Sequence, residues 1–318
     1  QRMADRGRAL AMTHDPHNPA THSADAGRNI QPWAARSLLF VPGDSPRKLE
    51  KALGGEADLI ILDLEDSVAE SAKPDARDHV AQALGQPDRA KPLWVRINPM
   101  DTPDALRDLV AVVPHRPDGI MLPKATPDEV RLLGHYLTAL EASAGIEPGS
   151  IRLIAVATET APALFRLGDY AGVPRLDALT WGAEDLAAAF GASANRDEEG
   201  NLLEPFALAR TLCLAGAHAA GIAPVETIDP NFRDEERMKR VPEDARKVGF
   251  RGMMCIHPAQ VEPINRAFTP SDEELDRARR IVALFEENPG AGALQLDGEM
   301  VDIPHLKQAR GILGLAAK

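Results

Sequence analysis

The sequence predicts an α/β protein of the (β/α)8 TIM-barrel class with a C-terminal helical lid extension. Two observations carry this reading. Eight short apolar runs recur from residue 37 onward, and amphipathic segments with helical spacing alternate with them. The runs lack strict apolar/polar alternation, as expected of parallel strands buried on both faces.

In chain order the runs are SLLFVPG (37–43), ADLIILDLED (57–66), PLWVRIN (92–98), DGIMLPK (118–124), IRLIAVATET (151–160), LDALTWGAEDL (176–186), APVETID (223–229) and RGMMCIHP (251–258). Helical patterns between them include SPRKLEKAL, SAKPDARDHVAQAL, TPDALRDLVAVV, TPDEVRLLGHYLTALEASAG and EPFALARTLCLAGAHAAG. Most open with Ser, Thr or Pro, which cap or tolerate the free N–H groups of a first turn. An open doubly wound sheet is the alternative, weakened because no Gly-x-Gly-x-x-Gly follows the first run. After the eighth run come a charged helix, SDEELDRARRIVALFEEN, and the segment GALQLDGEMVDIPHLKQARGILGLA. That tail is too long for an end cap and reads as an appendage folding over a barrel mouth. The expected division is a flexible arm over 1–35, a barrel over 36–268, and a C-terminal helix and lid over 269–318.

Composition narrows the function. A chain of 318 residues lies within the range of one barrel, and 44% apolar with 26% charged residues is ordinary for a globular protein. A net charge of −12 and 4% aromatic residues argue against nucleic acid as a partner. No window approaches the roughly 18 apolar residues of a membrane span. Cys213 and Cys255 have no C-x-x-C spacing, so neither a disulfide framework nor a thiolate metal site is expected, and a cytoplasmic location fits.

In such a barrel the chemistry gathers where strands end, so the polar residues closing each run form the candidate set. They are Asp63, Glu65 and Asp66 after the second run, Arg96 and Asn98 after the third, Lys124 after the fourth, Glu159 after the fifth, Glu184 and Asp185 after the sixth, and His257 after the eighth. Glu159 and Asp185 close adjacent runs. They either converge on a hard oxygen-loving ion such as Mg²⁺ or cap the helices that follow. Arg96 follows a strongly apolar run and suits a carboxylate of the substrate, a salt bridge to Glu65 or Asp63, or both. Lys124 is a Schiff-base nucleophile or a cation aimed at an acidic group. Arg36 begins the first run, at the end of the barrel away from the chemistry unless the chain bends there. His257 reads as a capping residue and Trp181 as packing.

Taken together, RSLLFVPGDSPRKLEKAL, DLIILDLEDSVA, WVRIN, GIMLPK, ATETA, LTWGAEDLA, GFRGMMCIHPAQV and GEMVDIPHLKQA resemble the citrate lyase β-subunit-like branch of the HpcH/HpaI aldolase superfamily. The resemblance runs from about residue 36 to 313. It implies that Glu159 and Asp185 ligate Mg²⁺, that Arg96 grips the substrate carboxylate, and that Glu65 and Asp66 line the pocket. It implies further that Asp302 is an acid/base donated by a neighbouring protomer's C-terminal segment, hence a homo-oligomer, a trimer or pair of trimers. Arg36, Arg47 and Lys48 become candidates for holding a coenzyme A thioester, and Arg36 and Lys124 for holding substrate. The implied activity is reversible cleavage of a short β-hydroxyacyl-CoA, such as citryl-, malyl- or citramalyl-CoA, into an acyl-CoA and a 2-keto acid. Three alternatives stand beside it: a β subunit acting on citryl bound to acyl carrier protein, a metal-dependent aldolase on free keto acids, and a non-catalytic assembly subunit.

Overall fold

A computed structural model describes residues 33–316. The expected N-terminal arm therefore lies, apart from its last three residues, outside the described residues. All eight apolar runs form strands: β1 (Ser37–Pro42), β2 (Leu59–Asp63), β3 (Leu93–Arg96), β4 (Gly119–Leu122), β5 (Arg152–Val156), β6 (Leu176–Thr180), β7 (Ala223–Pro224) and β8 (Met253–Cys255). They pair in parallel in the order β7-β6-β5-β4-β3-β2-β1-β8. The ring closes through three backbone hydrogen bonds: Arg251 N donates to Pro224 O (2.9 Å), Glu226 N to Gly252 O (2.8 Å) and Met254 N to Glu226 O (3.0 Å). The barrel is closed, and the doubly wound alternative falls.

Helices α1 (Pro46–Leu53), α2 (Lys73–Leu84), α3 (Pro103–Val112), α4 (Pro127–Ser143), α5 (Ala161–Leu164), α6 (Ala183–Phe190), α7 (Glu204–Ala220), α8 (Glu235–Val248) and α9 (Val261–Ala267) surround it. Their starts follow the sequence signals. Thr126 accepts a hydrogen bond from Glu129 N while Glu129 reaches back to Thr126 N, and Pro127 sits at the first helical position.

Alternation along each strand sorts the apolar residues into two layers. Leu38, Leu59, Ile61, Trp94, Met121, Ile154, Val156, Ala178, Val225 and Met254 fill the barrel interior. Their strand neighbours, including Leu39, Val41, Ile60, Leu62, Val95, Ile120, Leu122, Leu153 and Leu179, pack outward against the helices. Trp94 needs space inside the ring, and Gly119 provides it: a Cβ there would lie 2.4 Å from the indole.

Beyond Thr269 the chain forms α10 (Asp272–Glu287), a hairpin of β9 (Ala293–Leu296) and β10 (Glu299–Asp302), and α11 (Ile303–Ala316). This C-terminal unit has its own core of Ala278, Ile281, Phe285, Leu296, Val301, Leu306 and Ala309. Arg246 on α8 ties it to the barrel through Glu274 at 2.9 Å. The hairpin is an element the helical reading of the tail did not include. Among the described residues no helix is long and apolar enough to cross a membrane.

Candidate active site

Parity along the strands decides which polar side chains enter the barrel mouth. Asp63 and Arg96 are the last residues of β2 and β3, stand opposite each other in register, and share the inward parity of Ile61 and Trp94. Arg96 donates from Nε to Asp63 Oδ1 (2.7 Å) and from Nη2 to Asp63 Oδ2 (2.6 Å), and its Nη1 lies 3.0 Å from Glu65 Oε2. Its guanidinium also stands 4.8 Å over the Phe40 ring from β1. Asp63 further accepts from Glu65 N (3.0 Å) and Ser67 N (3.1 Å), so one buried carboxylate fixes both the guanidinium and the loop carrying Glu65. Burial pushes the Asp63 carboxyl up, but Arg96 outweighs it and the group ends below the usual carboxylate range.

Lys124, two residues past β4, adopts a left-handed backbone with φ +49°, a costly conformation for a side chain of this size. The bend serves the site. Lys124 N donates to Glu159 Oε2 at 2.6 Å, and its Nζ lies 2.8 Å from Glu65 Oε1 and 3.1 Å from Asp185 Oδ1. Glu159 and Asp185 thus meet around one lysine, and Gly182 permits the approach, since a Cβ there would fall 2.7 Å from Glu159 Cγ. Burial first, then the charge of Asp185, pushes the Glu159 carboxyl up to about 8. Burial also raises Glu65 despite Arg96 and Lys124. Asp185 also lies in the first turn of α6, where an acid is favoured, but neither α5 nor α6 has a side-chain cap hydrogen bond.

The mouth therefore holds five carboxylates (Asp63, Glu65, Asp66, Glu159, Asp185) against two cations, Arg96 and Lys124, a formal balance of −3 with all ionised. An anionic substrate would be repelled by this balance unless a further cation joined it. The donor set suits a hard divalent ion. Glu159 and Asp185 are oxygen donors, and among the described residues no cluster of three or more His, Cys, Asp or Glu offers a closed cage.

Other candidates are placed as follows. Asp66 is more than half exposed, 3.9 Å from Arg96. Arg36 requires correction: it precedes β1, at the opposite end of the barrel, where Nε and Nη2 each donate to Asp58 at 2.8 Å and Nη1 donates to Thr269 Oγ1. It does not reach the mouth, because a residue that starts a strand lies at the N-terminal face. The Schiff-base reading of Lys124 also falls: Glu65 and Asp185 hold its ammonium, and its pKa is raised rather than lowered. Asn98 donates to Leu64 O and Asp108, which makes it structural. His257 Nδ1 accepts from Ala259 N, a cap as expected, and its ring stacks on Phe232. Arg47 and Lys48 are exposed in the first turn of α1, on the face of the mouth. Glu184 opens α6 next to Asp185.

Asp302 closes β10 in the C-terminal unit. Its Oδ1 lies 2.5 Å from His305 Nδ1, and that hydrogen bond holds the carboxyl below its usual range. Among the described residues no hydrogen bond or ion pair joins it to Arg96, Lys124, Glu159 or Asp185. The site's supporting residues Phe40 and Gly182 were not singled out from the sequence. A glycine between a strand end and two acids was the available signal for the second; for Phe40 there was none beyond inward parity.

A closed parallel barrel with an acid-rich mouth, one anchored guanidinium and a C-terminal unit bearing a further acid defines a barrel of aldolase type. The chain matches the family described as HpcH/HpaI aldolase/citrate lyase over residues 36–258 and belongs to that family. It is 37% identical over 284 residues to a (3S)-malyl-CoA thioesterase of Cereibacter sphaeroides, covering 88% of this chain and 94% of that relative. It is 33% identical over 299 residues to the mitochondrial citramalyl-CoA lyase of Rattus norvegicus, covering 88% and 86%. The fold is similar to the CitE protein of Mycobacterium tuberculosis in complex with magnesium, acetoacetate and coenzyme A, with TM-score 0.76 and 34% identity over 90% of this chain and 99% of that one.

Proposed function

We propose that the protein is a Mg²⁺-dependent carbon–carbon lyase that reversibly cleaves a short β-hydroxyacyl-CoA, of the citryl-, malyl- or citramalyl-CoA kind, into an acyl-CoA and a 2-keto acid. The observation that carries the reading is the convergence of Glu159 and Asp185 beside the Asp63-anchored Arg96. Glu159 and Asp185 hold Mg²⁺, which supplies Lewis acidity toward the substrate's hydroxyl or keto oxygen. Both relatives named above carry coenzyme A ester activities in their names, and the CitE structure holds magnesium and coenzyme A.

Arg96 presents a guanidinium whose Nε and Nη2 are fixed by Asp63 and whose Nη1 stands 3.0 Å from Glu65, so its orientation toward the substrate carboxylate is set without further ordering. Lys124 pairs with Glu65 and Asp185 and offsets part of the charge of the crowded acids, and Mg²⁺ would supply the further cation that an anionic substrate requires. Glu65, its carboxyl raised by burial, receives the hydroxyl proton as the carbon–carbon bond breaks. The electron pair of that bond passes to the thioester α-carbon as an enolate, and Asp302 of a neighbouring protomer delivers the proton that completes the acyl-CoA. The lack of any hydrogen bond or ion pair from Asp302 to the mouth among the described residues, and its place on a unit with its own core, support donation in trans, and with it a homotrimer or a pair of trimers. Arg47 and Lys48 sit where a coenzyme A phosphate could be met. Two buried free thiols, Cys213 and Cys255, fit a reducing cytoplasm.

Similarity to a malyl-CoA thioesterase favours a second reading, hydrolysis of the thioester. One experiment separates the two. The purified protein with Mg²⁺ is given citryl-, malyl- and citramalyl-CoA, and free thiol and 2-keto acid are followed in parallel. A keto acid and an acyl-CoA without free thiol establish the lyase; free CoA and a hydroxy acid establish the thioesterase; no turnover of any thioester, with Mg²⁺ bound, overturns both.

A further inference from the structure

A cavity of about 330 Å³ lies between α7 and α8, against Trp181 and the 196–202 segment. It is lined by Arg196, Arg210, Arg237 and Arg240 against Glu226 and Asp244, with Asp229 behind Arg237. Two of these arginines are neutralised: Arg210 Nε donates to Glu226 Oε2 and Arg237 Nε to Asp229 Oδ2, each at 2.7 Å. Among the described residues Arg196 and Arg240 form no ion pair.

The arrangement around Gly200 suits an anion. Arg196 Nη1 (3.0 Å) and Arg237 Nη1 (3.2 Å) both donate to Gly200 O, so two like charges share one neutral acceptor. Arg196 Nε is buried with no hydrogen-bond partner. Burial, with Arg237 beside it, pulls Arg196 below the ordinary guanidinium range. Gly200 allows this crowding through φ +82° and the lack of a Cβ, which would lie 2.5 Å from Arg237 Nη1. Asp229, Glu226 and Glu184 act on Arg196 from a distance, but among the described residues none pairs with it, and its planar fork matches the oxygens of a phosphate.

We infer that this cavity is a second ligand site that takes a small phosphate-bearing molecule, its oxygens bound by Arg196 and Arg237 with Arg240 at the rim. The volume falls at the lower end of small-molecule sites, roughly 300–1,000 Å³, and so exceeds the needs of a bare phosphate. Occupancy has a route to the carboxylate cluster. Trp181 Nε1 donates to Glu226 Oε1 at 2.6 Å, the carboxylate that also holds Arg210, and Trp181 leads directly into Gly182 and Asp185. An anion that draws Arg210 off Glu226 Oε2 leaves the carboxylate that holds Trp181 short of one partner, and so changes the hold on the segment packed on Glu159. This coupling rests on the lyase reading; binding in the cavity does not.

The test is calorimetric titration of the full chain in metal-free buffer with inorganic pyrophosphate and, separately, adenosine 3′,5′-bisphosphate, with tryptophan fluorescence recorded alongside. Saturable one-to-one binding is expected, with a fluorescence change. Arg196→Gln abolishes it, and Arg240→Gln, an exposed residue whose loss leaves the fold intact, weakens it at least tenfold. Arg279→Gln, exposed on α10, leaves it unchanged. Tighter binding of the nucleotide than of pyrophosphate assigns the phosphate to a nucleotide source, and the reverse to a free one. Absence of saturable binding, affinity unchanged in both the Arg196 and Arg240 variants, or competition with coenzyme A overturns a separate site.

Discussion

Replacing Asp63 by asparagine probes the anchoring of Arg96 with little change in volume. The wild-type carboxylate takes two charge-assisted hydrogen bonds from Arg96, at 2.7 and 2.6 Å. Asparagine keeps one acceptor oxygen and turns an amide N–H₂ toward the other guanidinium donor, so one bond is lost and the other loses its charge. Breaking a buried ion pair costs roughly 3–5 kcal/mol, and the surviving contact from Glu65 to Nη1 places the effect near the lower figure. With an unfolding entropy of about 2.1 cal/mol/K per residue, about 0.7 kcal/mol/K for the chain, the melting temperature falls by roughly 4–8 °C. The loosened guanidinium no longer meets the substrate in a fixed geometry, and kcat/KM falls about 100-fold, equivalent to about 2.7 kcal/mol of transition-state stabilisation. The pH dependence has a definite sign. The folded pKa of Asp63 is depressed, so its contribution to stability is fully present above the unfolded value of about 3.9 and is lost as pH falls through the folded value. Wild type and Asp63→Asn therefore differ most near neutrality and converge in acid below about pH 4. Steady-state kinetics and thermal unfolding at several pH values decide the matter. Activity within threefold of wild type, or a stability gap that widens in acid, refutes the reasoning.

Asp185→Asn and Asp302→Ala are each expected to be inactive, and mixing them after dissociation and reassembly restores about one site in four, because under the proposed donation in trans only a barrel with Asp185 that receives a neighbour's Asp302 is complete; no recovery would place Asp302 in cis or outside the reaction. Gly182→Ala forces a methyl to within 2.7 Å of Glu159 Cγ, and Mg²⁺ affinity measured by calorimetry drops roughly tenfold or more while the circular dichroism spectrum is retained, an effect of about 1–2 kcal/mol typical of overpacking. Arg36→Gln leaves kcat/KM within about twofold and lowers stability by no more than about 1 kcal/mol, since its partly exposed pair with Asp58 is screened by solvent. A rise in KM for the thioester in that variant would return Arg36 to the substrate.

The strands were legible because a parallel barrel buries them on both faces, and uninterrupted apolar runs such as LIIL and GIML have few other uses. Closure was not legible, since it depends on three backbone hydrogen bonds between β7 and β8 and leaves no mark on side-chain pattern. β7 itself is only two residues long and contains Pro224, which has no N–H to donate. Helix α8 carries Pro242 inside it, a residue that ordinarily breaks a helix, and so was not among the helical patterns read from the sequence. The hairpin of the C-terminal unit was readable and was missed: Asp297-Gly298, both at positive φ, is a strong two-residue turn signal. Within the site, strand ends named Arg96, Glu159 and Asp185, but the left-handed Lys124 that gathers Glu65, Glu159 and Asp185 is a property of backbone geometry that residue type does not announce.

Lyase and thioesterase chemistry use the same grip on the substrate and diverge at the carbonyl. Carbon–carbon cleavage needs a proton donor for the enolate, whereas hydrolysis needs a base to direct water onto the thioester. The hydrogen bond from His305 holds the Asp302 carboxyl below its usual range, so Asp302 rests as a base near neutrality. That state suits removal of the thioester α-proton in the condensation direction, and by microscopic reversibility the same carboxyl returns the proton on cleavage. It suits water activation equally well. On the proposed reading, in which a neighbour's C-terminal unit delivers Asp302, the fit of that unit over the mouth would select between the two outcomes: a dry fit leaves the enolate and keto acid as the only partners, and an open one admits water to the thioester.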